Sequence, residues 1–355
     1  MASHKVQTVD LSAFTTSNSD VSTLDRERVH AAKDLVEACR TQGFVKIRGH
    51  GLTQAEVDDA FTWVKRLFDL PEEEKLRAPH PPGNMPHRGY SGIGLEKVYS
   101  IKDLPEYGSD KTPRHRSKVS QELRKSSDFK ESYEVGSEQD DQQTNIWLPD
   151  DVLAGFRTYM TSLYERLAGV TETILEAIGV GLGLNEQEHA ALMQLHSARH
   201  SQLRLIHYPR LDKEALGTKF LARLPAHTDW GTMTILFQDR NGGLELRDPH
   251  TRQYLKAEPE EGTLVLNIGD MLQRFTNDYF ISATHKVSVP DSNDVPVTGL
   301  PARYSIPFFV GPMPSHTVAT LSRFITPDSS PAKYEPVKFG EYGSIVSQYQ
   351  YEGEE

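Results

Sequence analysis

The spacing of apolar residues predicts amphipathic helices in the first half of the chain. Between Asp25 and Gln42 apolar residues recur at three- and four-residue steps, which places them on one side of a helix that Gly43 ends. FVKIRGHG then predicts a short strand and turn, and Thr53 is a suitable N-cap for a helix over 53–68. A further helix over about 151–182 carries leucine, isoleucine and valine on a common face. Helices of this kind are expected to cover a sheet.

Beyond Gln202 the pattern changes to short strands separated by turn residues. The strands are rich in β-branched, leucine and aromatic residues, while DRNGG, DPHTRQ and TND supply turns. Several short strands at this spacing predict an all-β sandwich or barrel rather than a parallel sheet with crossover helices. The predicted strands are LRLIHY, TMTILFQ, LELRD, TLVLNIG, ISATHKVSV and RYSIPFFV.

The segment 78–145 shows little periodicity of either kind. It opens with the Pro- and Gly-rich run PHPPGNMPHRGYSGIG and continues as charged, weakly apolar sequence. We interpret it as a long, partly ordered flap, with a solvated insertion of no function as the alternative. Tyr90 and Tyr133 lie in it and either close over a substrate or sit at the surface.

The same patterns divide the chain into three parts that we expect to form one compact catalytic unit. Residues 1–199 are the N-terminal helical part with its early strand and flap, residues 200–312 the catalytic core, and residues 313–355 a C-terminal tail that packs on the core.

Composition narrows the classes of function. The chain has 355 residues, 37% hydrophobic and 25% charged, as an ordinary globular enzyme does. Cys39 is the single cysteine, so neither an intramolecular disulfide nor a thiol-rich zinc site can form, and a reducing compartment is expected. The absence of a signal-like N-terminus and of a long apolar run predicts a cytoplasmic protein without a membrane partner. The net charge of −11 argues against a nucleic-acid partner.

One constellation of residues carries metal chemistry. In PAHTDWG, His227 and Asp229 are two residues apart at the start of a predicted strand, so their side chains project from one face. His285, in SATHKV, lies on a later strand and supplies a third ligand. Two histidines and one carboxylate on one face of an octahedron leave three positions open, which suits iron(II) acting with O2 and a chelating cosubstrate.

A second pair follows at the same spacing. Arg303 and Ser305 in ARYSIPFF lie on one strand face, where a guanidinium fork and a hydroxyl suit a distal carboxylate. A structural surface arginine is the alternative for this triplet alone, but the ordered succession of HTD, H and RYS reduces its weight.

This succession resembles the iron(II)/2-oxoglutarate-dependent dioxygenases of the isopenicillin N synthase-like family. The resemblance extends over nearly the whole chain, through QGFVKIRGHG, HYP, GGLELRD and LNIGDMLQRFTNDYFISATHKV. RGYSGIGLEK and KESYEVG are similar to segments of the fungal thymine hydroxylase-like branch. The resemblance implies a mainly β fold with flanking helices, in which N-terminal helices wrap a distorted double-stranded β-helix, or jelly roll.

The resemblance also implies roles for individual residues. It gives Fe(II) as the metal, 2-oxoglutarate and O2 as cosubstrates, and a small molecule as the substrate. The matching positions are His227, Asp229 and His285 for iron, Arg303, Ser305 and Tyr208 for 2-oxoglutarate, and Arg204, Trp230 and Phe309 for the substrate.

The substrate residues also allow structural interpretations. Arg204 suits an enolate, imide carbonyl or carboxylate, or else an ion pair with an acidic neighbour in the scaffold. Trp230 stacks on a flat ring or only plugs the barrel mouth, and Phe309 faces substrate or packs in the core. Where thymine hydroxylase has tyrosine after the metal-binding aspartate, this chain has Trp230, a larger donor-only side chain.

The expected reaction is oxidation of a C–H bond of a small planar aromatic or heterocyclic molecule in secondary metabolism, as hydroxylation, desaturation or ring rearrangement, with succinate and CO2 as coproducts. Three different functions stay open beside it. They are a hydroxylase of thymine or another nucleobase, an isopenicillin N synthase-like oxidase that does not use 2-oxoglutarate, and a non-catalytic jelly roll that only binds a ligand.

Overall fold

Two β-sheets face each other, and helices cover the outer face of the larger sheet. The computed structural model describes residues 5–16, 21–83, 87–96, 129–212, 223–288, 298–327 and 329–344, with the backbone alone for 21–24. Its helices are α1 (Ser12–Thr15), α2 (Val21–Thr41), α3 (Gln54–Phe68), α4 (Glu72–Lys75), α5 (Phe156–Leu182), α6 (Glu186–Met193), α7 (Asp270–Phe275) and a 3-10 turn (Ser322–Phe324).

The strands of the described ranges fall into two sheets and a short hairpin. The larger sheet has the order β1-β2-β10-β7-β12-β5-β4-β3, and the smaller has the order β6-β11-β8-β9. The bounds are β1 (Thr8–Asp10), β2 (Phe44–Arg48), β3 (Gly89–Ser91), β4 (Glu131–Val135), β5 (Gln202–Tyr208), β6 (Leu224–His227), β7 (Met233–Gln238), β8 (Leu244–Arg247), β9 (Tyr254–Lys256), β10 (Thr263–Ile268), β11 (His285–Val287) and β12 (Arg303–Val310). β13 (Thr317–Val318) and β14 (Val337–Lys338) form the hairpin.

The pleat of the larger sheet decides which residues meet the helices and which face the smaller sheet. In β12, Ile306 and Phe308 join the core that the helices cover, so Arg303 and Ser305 point the other way. β5 follows the same rule, since Leu203 and Leu205 face the helices. The even-numbered residues of β5 and the odd-numbered residues of β12 therefore share the space between the sheets. That space is where the candidate site lies.

The jelly-roll fold is confirmed, and most of the predicted helices and strands are present. Thr53 caps α3 in a capping box, in which its hydroxyl accepts from the amide of Glu56 and the Glu56 carboxylate accepts from the amide of Thr53. α5 begins at Phe156, after Gly155 with φ of +78°, and not near 151 as predicted, because turns occupy 151–154.

The segment 78–145 differs from the predicted loop where it is described. β3 and β4 pair with each other, and β4 pairs with β5, so this segment extends the larger sheet. Tyr90 and Tyr133 are buried on the helix-facing side, where their hydroxyls donate to the Glu131 carboxylate and the Ile146 carbonyl, each at 2.6 Å. Neither a surface position nor a lid over a substrate fits these two side chains. Residues 84–86 and 97–128 of the predicted flap lie outside the described residues.

The helices bear on membrane association, and the pairing of the first strands bears on the predicted three-part division of the chain. None of the helices in the described ranges combines the length and hydrophobicity that a membrane crossing needs. β1 and β2, from the N-terminal part, pair directly with β10 of the core. The boundaries at 199 and 312 stay predictions.

Candidate active site

Three side chains meet between the sheets at one point. The Nε2 atoms of His227 and His285 lie 3.7 and 3.8 Å from Oδ1 of Asp229. The two imidazole rings have centroids 4.2 Å apart. All three residues are at most 8% exposed. The structure therefore brings His227, Asp229 and His285 together, as the sequence predicted.

Strand pairing explains this convergence. His285 opens β11 directly opposite His227, the last residue of β6, in an antiparallel register. Asp229 does not start a strand as predicted but lies in the loop that follows β6. That loop is held by the start of α7, whose Asp270 amide donates to the Asp229 carbonyl at 2.8 Å. Gly269 allows this approach, because a Cβ there would collide with the carbonyl of Gly231.

Hydrogen bonds orient the three groups toward their common centre. Nδ1 of His227 lies 2.9 Å from the carbonyl of Pro225, so Nδ1 carries the proton and Nε2 keeps its lone pair. The Oδ2 atom of Asp229 accepts from Thr234 at 2.6 Å and from Asn267 at 2.7 Å, which leaves Oδ1 for the centre. Sequence reasoning did not identify Thr234 and Asn267, although they are register partners on β7 and β10.

The electrostatics favour the ligand forms of these groups. Burial, with repulsion from His285, lowers the pKa of His227 to about 4, so the ring is neutral at pH 7. Burial alone would raise the pKa of Asp229. His285, His227 and the two hydrogen bonds outweigh that effect and hold the pKa below its ordinary value. A neutral imidazole and an ionised carboxylate are the forms that bind a cation.

The geometry fits a divalent metal. Ligand atoms about 2.1 Å from one ion at right angles would be about 3 Å apart, so separations of 3.7 and 3.8 Å need little closure. Two imidazoles and a carboxylate are the donor set of non-haem iron(II) sites that keep positions open for cosubstrates. The groups of the chain therefore suit iron(II) by number, chemistry and orientation.

A cavity of about 50 Å³ leads from these ligands to a buried guanidinium. Arg303, Ser305 and Tyr208 line this cavity together with His285 and Asp229. The Arg303 guanidinium donates to the carbonyl of Gly242 and to the hydroxyl of Ser305, and it lies 5.0 Å from the centre of the Tyr208 ring. The three residues predicted for 2-oxoglutarate thus converge.

Arg303 is a buried cation without a carboxylate partner among the described residues. It is 1% exposed, and its hydrogen bonds go to neutral oxygens. Arg223 is a second buried cation close to Arg303, although it does not line the cavity. Its guanidinium donates to the carbonyls of Pro209 and Pro301, and burial together with Arg303 lowers its pKa against the opposing effect of Tyr208 and Asp239. Uncompensated buried charge is unfavourable, so this end of the cavity suits an anion. Nothing in the local sequence singles out Arg223.

A second cavity, of about 120 Å³, opens on the other side of His227 and Asp229. The predicted substrate residues Arg204, Trp230 and Phe309 all line it. Arg204 also makes the ion pairs given as its structural interpretation, to Glu134 at 2.8 Å and to Glu96 at 3.2 Å. It lies 5.5 Å from the centre of the Phe309 ring.

Trp230 packs against the C-terminal segment. The sequence analysis predicted no site residue in that segment. Its indole stacks on Phe339, with centroids 5.4 Å apart and planes inclined by 23°. Phe339 also lines the larger cavity, and Gly343 lies against the far edge of the indole. The mouth is therefore an aromatic wall built from two parts of the chain.

Comparisons with known proteins agree with this arrangement. A model described as the 2OG-Fe(II) oxygenase superfamily matches residues 199–312, and one described as the N-terminal part of non-haem dioxygenases in morphine synthesis matches residues 6–150. A 2-oxoglutarate-Fe(II) type oxidoreductase of Metarhizium rileyi is 36% identical over 91% of this chain and 86% of the relative. A proline hydroxylase of Petromyces alliaceus is 36% identical over 84% of this chain and 86% of the relative.

Solved structures give the same fold. The full-length thymine hydroxylase of Neurospora crassa, in complex with α-ketoglutarate and thymine, superposes with a TM-score of 0.79 at 28% identity and covers 98% of both chains. A rice dioxygenase for auxin oxidation, at 19% identity and a TM-score of 0.66, shares the fold over 96% of this chain and 94% of its own.

Proposed function

The chain belongs to the 2OG-Fe(II) oxygenase superfamily, and from this premise we propose that it oxidises a C–H bond of a small planar aromatic or heterocyclic molecule. The enzyme uses iron(II), with 2-oxoglutarate and O2 as cosubstrates. The observation that carries the proposal is the cavity of about 120 Å³ whose walls include both Arg204 and the metal-binding His227.

We assign iron(II) to His227, Asp229 and His285, and the distal carboxylate of 2-oxoglutarate to Arg303, Ser305 and Tyr208. Bound together, iron and 2-oxoglutarate supply the oxidising chemistry, with succinate and CO2 as coproducts. The buried guanidinium binds a carboxylate in two-point fashion, and the Ser305 hydroxyl adds a donor. The chain thereby fixes the cosubstrate at the end opposite the metal.

The larger cavity supports a planar substrate. A cavity of roughly 150 Å³ accommodates a benzene ring, so about 120 Å³ with an open mouth suits one ring or a small fused system. Trp230, Phe309 and Phe339 present aromatic surface, and Arg204 offers a donor on the same wall. Holding the substrate here places one of its C–H bonds beside the metal, which is how the protein selects the bond.

The names of relatives support a range of small substrates. The Neurospora enzyme is described with thymine, a planar heterocycle, which supports a nucleobase-like ligand as one member of the proposed class. The Petromyces relative is named a proline hydroxylase, which favours a second candidate, hydroxylation of a saturated cyclic amino acid. The aromatic lining of the cavity favours the planar class.

A binding screen separates these candidates. The enzyme is loaded anaerobically with iron(II) and 2-oxoglutarate, and planar heterocycles, benzamides and L-proline are added while the metal charge-transfer band is recorded. We expect planar compounds to shift the band. A shift with L-proline or peptides alone would reject the planar class while leaving the oxygenase assignment intact.

Succinate formation separates the proposed reaction from that of an oxidase and from simple ligand binding. An isopenicillin N synthase-like oxidase would consume O2 without succinate, and a binding protein would consume neither cosubstrate. The uncompensated Arg303 supports the 2-oxoglutarate-dependent reaction, because a dicarboxylate supplies the missing negative charge. Oxygen uptake without stoichiometric succinate would contradict it.

A further inference from the structure

The wall of the substrate cavity contains a cluster of four buried charges that the iron and 2-oxoglutarate sites do not use. Lys130 and Arg204 line the cavity. Behind them, Glu96 contacts both cations, at 2.5 Å from Lys130 and 3.2 Å from Arg204, and Glu134 lies 2.8 Å from Arg204. The side chains of all four are at most 9% exposed. In the described part of the chain the cluster therefore holds two basic and two acidic side chains.

This balance contrasts with the other cavity of the same molecule. There, Arg303 lacks a carboxylate partner among the described residues, as expected of a site that receives an anion. The cations of the substrate cavity already have theirs. A carboxylate entering beside Arg204 would meet Glu96 and Glu134 at the same guanidinium, and it would be desolvated without a cation of its own.

The charge of the cluster depends on pH through Glu134, and two histidines lie close to it. His87 lines the cavity, and burial together with Arg204 lowers its pKa to about 3, so the ring is neutral. Burial raises the pKa of Glu134 to about 7, although Arg204 opposes the shift, so the four charges balance only above neutral pH, where this carboxyl is ionised. A further anion nearby would raise that pKa again. His200 also lines the cavity and lies 3.4 Å from the carboxylate of Asp140.

We infer that Glu96 and Glu134 make this cavity selective for a neutral carbonyl-bearing substrate, such as an amide, lactam or imide, over a carboxylate. The two glutamates orient Arg204 and remove its net charge, so its N–H groups serve as hydrogen-bond donors to a neutral carbonyl. The inference rests on the proposed planar substrate class and narrows it. Glu96 and Glu134 are specificity-determining and positioning residues, because they act through Arg204.

Benzamide and benzoate test the inference, because they have the same shape and differ in charge. Each is titrated by calorimetry at about pH 8, where Glu134 is ionised, into enzyme loaded anaerobically with iron(II) and 2-oxoglutarate. The charge-transfer band confirms that the metal site is intact. We expect the wild type to bind benzamide at least tenfold more tightly than benzoate. We expect Glu134→Gln and Glu96→Gln each to reduce the preference for benzamide over benzoate by about tenfold, since each leaves one positive charge uncompensated.

Glu131→Gln is the matched control. Glu131 is a buried glutamate on the same strand, β4, but it faces the helices and contacts Lys75 and His207. Its replacement should leave the benzamide-to-benzoate ratio within twofold of wild type, whatever it does to stability.

Each result decides the inference. Tighter or equal binding of benzoate by the wild type overturns it, even if neither variant folds, and so does an unchanged ratio in folded Glu134→Gln and Glu96→Gln enzymes. If the wild type binds neither compound while the charge-transfer band is normal, the planar substrate class fails and the inference fails with it. Only in that last case is the proposed function also rejected.

Discussion

Replacing Arg303 by methionine should separate recognition of the 2-oxoglutarate tail from every other property of the site. The guanidinium is 1% exposed, so its interaction with a carboxylate is not screened by solvent. Two charge-assisted hydrogen bonds are worth about 1.5–3 kcal/mol each. Since Ser305 and Tyr208 retain part of the binding, we expect a loss of about 3 kcal/mol, or roughly a hundredfold rise in KM for 2-oxoglutarate.

The assay compares 2-oxoglutarate with 2-oxopentanoate, which has the same chain length but no distal carboxylate. Wild-type enzyme should favour 2-oxoglutarate by about a hundredfold or more in kcat/KM, measured from coproduct formation at saturating iron(II). In Arg303→Met this preference should fall by about a hundredfold, because the main interaction that distinguishes the two acids is gone. Ser305→Ala is a graded control that should cost about 1 kcal/mol, or about fivefold.

The reasoning would be refuted if Arg303→Met kept the wild-type preference for 2-oxoglutarate. It would also be refuted if the variant lost turnover with both acids through loss of iron, since Arg303 makes no contact with the metal ligands in the described hydrogen-bond network. Iron content and thermal unfolding are therefore measured on the same preparations.

Three more substitutions probe the metal site and a histidine outside it, His196. His227→Ala should abolish iron binding and succinate production and keep the fold, and retained turnover would reject the metal assignment. Asn267→Leu removes a donor to Asp229 and should weaken iron binding by about 10- to 100-fold in chelator competition, whereas unchanged affinity would show that the hydrogen bond is unimportant. The His196 side chain is 4% exposed and makes no hydrogen bond to the described residues, and its Nε2 atom lies 3.8 Å from the Glu172 carboxylate. Burial lowers its pKa to about 4, so between pH 6.5 and pH 4 the unfolded chain binds a proton that the folded chain does not. As pH falls from 6.5 to 4, this group should therefore lower the free energy of unfolding by about 1.4 kcal/mol per pH unit. In urea unfolding, the free energy of unfolding of His196→Phe should depend less on pH than that of the wild type. An equal pH dependence would contradict the burial argument.

Strand periodicity accounts for only part of the convergence of the residues predicted for the metal and the cosubstrate. A two-residue spacing puts Arg303 and Ser305 on one face of β12 wherever that strand pairs. His227 and Asp229 converge for a different reason, since β6 ends at His227 and the following loop turns Asp229 inward. The pairing of His285 with His227 is a long-range register that no local pattern contains.

The strands β3 and β4 could not be predicted from hydrophobic alternation. β4 reads ESYEV, and both of its glutamates are buried. Glu131 is compensated by Lys75 and His207, while Glu134 is compensated by Arg204, and all three partners are distant in sequence. A buried strand whose charges are neutralised by remote residues has the local composition of a solvated loop.

The substrate wall was predicted only in part for the same reason. Arg204, Trp230 and Phe309 came from the family resemblance, whereas Lys130 and Phe339 come from segments that meet the core only in the folded chain. Phe339 follows β14 and reaches the cavity by packing on Trp230.

The residues proposed for the oxidation and some of those proposed for substrate selectivity lie in different parts of the larger sheet, and β3 and β4 form the edge that carries the second group. The proposed metal and cosubstrate ligands lie on or beside β5, β6, β11 and β12, whereas Glu96, Lys130 and Glu134 lie on or beside the edge strands β3 and β4. Changes in the sequence of these edge strands would therefore alter substrate selectivity while the proposed metal and cosubstrate ligands stay the same. For the same reason, grafting the edge strands between relatives is a direct route to enzymes with altered selectivity.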